Sequence, residues 1–130
     1  MSNRYVIPAC LLASLAASPA FADNTFQNTC SEIRFAYDGN NATIKAVCLR
    51  QNGTANPTSL TLQGISNQNG KLTQGTGAST FQQSCGNIQI LVNNGPVVTL
   101  SALCRTTSGS SVATSLSLNN ISNNNGTLQQ

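Results

Sequence analysis

Most of this chain is one segment written twice, and that doubling restricts its fold more than any other feature. Phe26-Gln27-Asn28-Thr29-Cys30 returns fifty-five residues later as Phe81-Gln82-Gln83-Ser84-Cys85, and Ile33 and Ile88 keep the offset. Ala46-Val47-Cys48 returns as Ala102-Leu103-Cys104, now fifty-six residues on, so one residue entered in between. Ser59-Leu60-Thr61-Leu62 matches Ser115-Leu116-Ser117-Leu118, and the run Ile65 to Leu72 matches Ile121 to Leu128. A period near fifty residues demands a repeat architecture in which two similar units bury their apolar faces together. The repeats span about 24–73 and 79–130.

A unit of this size has a small core, so its cysteines matter. The doubled part holds Cys30, Cys48, Cys85 and Cys104, which allow three pairings. Equivalent cysteines in a repeat should bond equivalently, giving Cys30–Cys48 and Cys85–Cys104. Each bridge closes a loop of about 15–20 residues, worth about 3 kcal/mol in the chain-entropy account.

The fifth cysteine, Cys10, lies in a different kind of segment. Arg4 precedes a mostly apolar run from Val6 to Ala17, Pro19 breaks it, and Ala20-Phe21-Ala22 fits a small-x-small cleavage rule. Residues 1–22 are expected to be a secretory signal peptide, leaving 23–130 as an exported domain with an even set of cysteines. The apolar run is too short to span a membrane. Secretion, with no membrane insertion after cleavage, is the expectation.

Strand signals fill the repeats. Ile44, Ala46 and Cys48 alternate with Lys45 and Val47, and Leu60/Leu62 and Leu116/Leu118 alternate with polar neighbours. Period two gives one buried and one polar face. Asp38 to Asn41 and Asn93 to Pro96 each sit between strand-like runs and read as hairpin turns. Four Asn-Gly pairs, starting at Asn52, Asn69, Asn94 and Asn125, mark further tight turns. Short helical turns are allowed at Ser59–Leu62 or Ser115–Leu118. Gln74 to Thr80, with two glycines, reads as the connector between repeats. Phe26, Phe81, Ile33 and Ile88 are expected in the core.

Composition then limits the chemistry. Histidine is absent, charged residues are 7%, and the acidic residues are three. An acid–base enzyme or a metal cage has almost nothing to work with, so no catalytic residue, cofactor or metal is expected. The six basic residues are scattered, unlike the clustered face that nucleic acid requires. Asn, Gln, Ser and Thr carry the polarity. Amides offer donor and acceptor from one group and hydroxyls adapt to either role, which suits a neutral polyhydroxyl ligand.

The series Phe-x-x-[Thr/Ser]-Cys-x-x-Ile, Ala-x-Cys, Leu-x-Leu and Ile-x-Asn-x-x-Gly-x-Leu, given twice over Asn24 to Leu128, resembles the cyanovirin-N family of lectins. The resemblance implies an all-β, pseudo-twofold cyanovirin-N-like fold of two tandem repeats, each a three-stranded sheet plus β-hairpin, with intra-repeat disulfides. It further implies exchange between repeats: one structural half takes the first repeat plus the C-terminal strand, the other runs from Ile65 to about Asn119. A monomer or domain-swapped dimer follows from the same resemblance.

Carried over position by position, a first carbohydrate site would use Thr25, Asn28, Thr29, Gln51, Asn123, Asn124 and Asn125. A second would use Asn67, Asn69, Ser79, Thr80, Gln83, Ser84, Arg105, Thr106 and Thr107. Acidic residues that the family pattern leads one to expect near Leu49, Ser66, Asn69, Gln83 and Asn125 are neutral here. Ionised acceptors make stronger hydrogen bonds, so weaker binding or a different glycan preference is expected. Arg105 keeps a cationic donor, which ranks the second site first. The expected function is a secreted lectin for mannose-rich oligosaccharides on glycoproteins or cell walls; the alternative is a secreted structural or surface-associated domain that has lost sugar binding. Asn41, Asn52, Asn120 and Asn125 begin Asn-x-Ser/Thr sequons.

Overall fold

The computed structural model describes residues 24–92 and 97–130. The expected signal peptide and the Asn93–Pro96 turn lie outside these residues. A single 3₁₀ turn at Phe26–Asn28 leads into β1 (Cys30–Asp38), β2 (Asn41–Leu49) and β3 (Ala55–Thr61), an antiparallel sheet in the order β1-β2-β3. The hairpin of β4 (Gln63–Gln68) and β5 (Lys71–Ala78) follows. The pattern then repeats. A 3₁₀ turn at Phe81–Gln83 precedes β6 (Cys85–Val92), β7 (Val98–Arg105) and β8 (Ser111–Leu118), and a last hairpin joins β9 (Ser122–Asn124) to β10 (Thr127–Gln129).

The doubled, all-β architecture is therefore present, and so are the bridges Cys30–Cys48 and Cys85–Cys104. Each joins residues directly opposite one another in the first hairpin of its sheet. The turn at Asp38–Asn41 forms with Gly39 at φ +64. Asn69-Gly70 and Asn125-Gly126 are both left-handed turns, with asparagine φ of 51 and 50.

Three details differ from the sequence expectation. Ser59–Thr61 and Ser115–Leu118 lie in strands β3 and β8, as their alternating leucines imply, and the helical turns allowed there do not form. The helical turns lie instead at the two phenylalanines. The supposed connector is largely strand, since β5 runs to Ala78. Its glycines sit in a bulge, where the register jumps from Gln63↔Ala78 to Ile65↔Gln74. Gly64 (φ +74) faces that bulge so closely that an added Cβ would collide with the Gly75 carbonyl. Ile33 and Ile88 are half-buried at the core's edge, whereas Phe26 and Phe81 are fully enclosed.

The hairpins are exchanged between the sheets. The β4–β5 hairpin belongs to the first repeat but docks on β8, where the Leu72 amide donates to the Thr114 hydroxyl. The β9–β10 hairpin docks on β3, and the Leu128 amide donates to the Thr58 hydroxyl. The C-terminal element that completes the first half is this β9–β10 hairpin. Each crossover is braced from inside. Asn24 Nδ2 donates to the Leu118 carbonyl while the Ile121 amide donates to Asn24 Oδ1. At the equivalent place the Ser79 hydroxyl donates to the Leu62 carbonyl and accepts from the Ile65 amide. Across the middle, the Phe35 and Phe81 rings pack 6.1 Å apart, and Gln82 Nε2 donates to the Asn40 carbonyl.

Candidate functional site

The two hairpin turns carry the residues that matter, and each turn is clipped to the sheet it has invaded. The Asn67 side chain donates from Nδ2 to Ser84 Oγ and to the Arg105 carbonyl, both at 2.9 Å. Its Oδ1 accepts the Gly70 amide at 2.7 Å. Asn123 repeats the arrangement with Thr29 Oγ1, the Leu49 carbonyl and the Gly126 amide. An amide has two donors and two acceptor positions, so these two asparagines are almost saturated by the protein. They hold the site together, with little left to offer a ligand. The next asparagines differ. Asn69 Oδ1 accepts from the Thr107 amide and hydroxyl, and Asn125 Oδ1 accepts from the Gln51 amide. Neither amide NH₂ is used in those bonds.

The second set of expected site residues is therefore largely assembled. Asn67, Ser84 and Arg105 meet at one clip, and Asn69 and Thr107 at the neighbouring bond. Thr106 is tied into its own loop through Ser108 and Ser110. Thr80 and Gln83 are exposed on the 3₁₀ turn, where the Thr80 amide donates to the Ile65 carbonyl and the Gln83 amide to Thr80 O. Ser79 is not at this surface: it is 8% exposed and both hydrogen bonds of its hydroxyl go inward.

Beside the clip lies an open cleft of about 330 Å³. Gln83, Ser84 and Arg105 line it together with Asn87, Leu103 and Ser111. Asn87 has φ +50 in the bulge that follows Cys85, which turns it out of the strand register. The sequence reading missed Asn87, Leu103 and Ser111. Asn87 and Leu103 lie within two residues of the bridged cysteines, whereas Ser111 reaches the cleft only as the cross-strand partner of Arg105, a pairing that no local pattern displays.

The first set is assembled by the same rule. Asn123 joins Thr29, and Asn125 joins Gln51. Thr25, Asn28 and Asn124 are exposed nearby in sequence, with the Thr25 amide bonded to the Ile121 carbonyl. Where the second clip presents Arg105, this one presents Leu49, 48% exposed. The two ends thus share a skeleton and differ in chemistry. Among the described residues no group of three or more His, Cys, Asp or Glu could hold a metal ion, and no helix is long and apolar enough to cross a membrane.

Two exchanged, disulfide-stapled β halves, each offering a polar turn and loop at its outer end, define a small class of proteins. The sequence model of the CVNH domain matches residues 26–129, and the chain belongs to that family. Microvirin, solved in complex with mannobiose, is 31% identical; the match covers 82% of this chain and 97% of that one, with a TM-score of 0.60. The CVNH protein of T. borchii is 26% identical over 81% of this chain and 97% of its own, with a TM-score of 0.61. A MoCVNH3 variant solved with (N-GlcNAc)4 shares the fold at 18% identity and a TM-score of 0.63, covering 84% and 98%. No curated protein sequence matches the chain.

Proposed function

We propose that this protein is an exported lectin that binds neutral, mannose-rich oligosaccharides at the outer ends of its two halves, the second end being the stronger. The observation that carries this reading is the pre-assembled clip of Asn67, Ser84 and Arg105 beside the open polar cleft. A preorganised loop does not lose ordering entropy when a sugar binds. Gln83, Asn87 and Ser111 supply amide and hydroxyl groups that match vicinal hydroxyls, and Arg105 supplies a charge-assisted donor. Microvirin's complex with mannobiose supports mannose as the sugar. The Ala20-Phe21-Ala22 pattern supports export, with Asp23 as the first mature residue.

With no histidine and three acidic residues in the sequence, binding without turnover is the expected activity. Calorimetric titration of the folded protein with mannose-rich oligosaccharide tests this. Saturable heat that is lost in Arg105→Ala, with the Leu49 end unaffected, is the expected result. No heat at millimolar sugar overturns the lectin reading and leaves a structural domain. N-terminal sequencing of the exported protein, expected to begin at Asp23, tests the leader.

A further inference from the structure

The outer face of the first sheet holds a feature that the repeat does not require. Arg34 of β1 and Lys45 of β2 are direct cross-strand partners, and Lys45 in turn faces Ser59 of β3. Like charges placed directly opposite in a sheet repel and cost stability. Arg34 Nη1 donates to the Glu32 carbonyl at 2.9 Å, and among the described residues neither cation has a carboxylate partner. The doubled chain supplies its own control. The equivalent partners in the second sheet are Gln89, Ser101 and Ser115, all neutral. The fold is therefore satisfied without the cations.

The two cations border an open depression of about 300 Å³, lined also by Val47, Pro57, Thr58 and Ser59. Val47 and Pro57 are themselves cross-strand partners, so an apolar pair lies two residues along from the charges on the same face. An oxyanion between Arg34 and Lys45 would remove their repulsion and accept charge-assisted hydrogen bonds. A ligand that combines an oxyanion, a C–H face and a hydroxyl matches the charges, the Val47–Pro57 pair and the Ser59 hydroxyl in turn. The equivalent depression on the second sheet, bounded by Thr99, Ser101, Ala113, Thr114 and Ser115, has no charged residue in its lining.

We propose that the outer face of the β1–β2–β3 sheet is a separate site for an acidic saccharide, whose carboxylate or sulfate sits between Arg34 and Lys45. It is independent of the neutral-sugar sites at the hairpin turns. The test is a titration of the whole mature protein followed by backbone amide shifts. The probes are tetragalacturonate, a sulfated galactan tetramer, the neutral galactan tetramer and inorganic sulfate. The charged sugars are expected to shift Lys45, Val47 and Ser59, and to bind more weakly as salt rises toward ~0.15 M. Whichever of the two charged sugars binds more tightly identifies the oxyanion. The double variant R34Q/K45S, which installs the pair that Gln89 and Ser101 already form, is expected to lose about tenfold in affinity for the charged sugars. Its binding of mannose oligosaccharide should be unchanged, and its melting temperature at low salt should hold or rise. Equal binding of neutral and charged tetramers, inorganic sulfate binding as tightly as the sulfated sugar, or full affinity in R34Q/K45S would each overturn the proposal.

Discussion

Gly70 tests the exchange of hairpins more sharply than any other position. It sits in the Asn69-Gly70 turn at φ +89, and it presses on a strand from the other repeat. A Cβ built there would stand 2.6 Å from Val112 Cγ2 and 2.9 Å from Thr106 Cγ2. Gly70→Ala thus carries two costs. Left-handed backbone costs a residue with a Cβ about 1–2 kcal/mol. Overpacking adds about 1–3 kcal/mol. Gly109→Ala separates the two, because Gly109 has φ +94 with nothing within 4 Å of its Cβ position. It should show the backbone cost alone. Thermal or urea unfolding of both variants is the assay. The extra loss in Gly70→Ala should be about 1–3 kcal/mol, a difference in melting temperature on the order of 10 °C for a domain of this size. Equal losses in the two variants would refute the reasoning, since the β4–β5 turn could not then be seated against β8.

Three further outcomes follow from the same contacts. Ser79→Ala leaves the buried Ile65 amide and Leu62 carbonyl without their shared hydroxyl; a loss of about 1–3 kcal/mol in urea unfolding is expected, with sugar binding retained. Removing the Cys85–Cys104 bridge, which spans a separation of 19 residues, should cost about 3 kcal/mol, read by melting of the Cys85→Ser/Cys104→Ser variant. Asn123→Ala should loosen the first end alone, weakening any sugar binding there while calorimetry at the Arg105 end stays unchanged.

The fold was legible because its constraints repeat. The four bridged cysteines, Phe26 with Phe81, and the turns at Asn69 and Asn125 each occur as repeat pairs, and an isolated signal became a doubled one. The exchange of hairpins entered through family resemblance, since nothing in Leu72 or Thr114 alone says that they bond across repeats. The connector was misjudged because its glycines resemble a linker. In the structure they build a bulge around Gly64, a close approach between strands that no local pattern displays.

The site was legible in part, for a related reason. Sequence position brought Asn67 and Asn123 forward as ligand-contacting residues, yet their amides are turned inward to clip turn, loop and strand. Ser79 was grouped with them by its closeness to Phe81, but strand pairing makes it the counterpart of Asn24, a buried brace. Asn87 and Ser111 went unnoticed because they reach the cleft through a bulge and a cross-strand pair, which the one-dimensional series does not encode.

The central claim is that the clip at Asn67 shapes a cleft that receives neutral saccharide. Amide-shift mapping with mannobiose tests it most directly. The account predicts saturable changes confined to residues 67–70, 83–87 and 103–111, with a weaker set around Leu49 and Asn125. Changes elsewhere on the surface, or none while the protein remains folded, would contradict it.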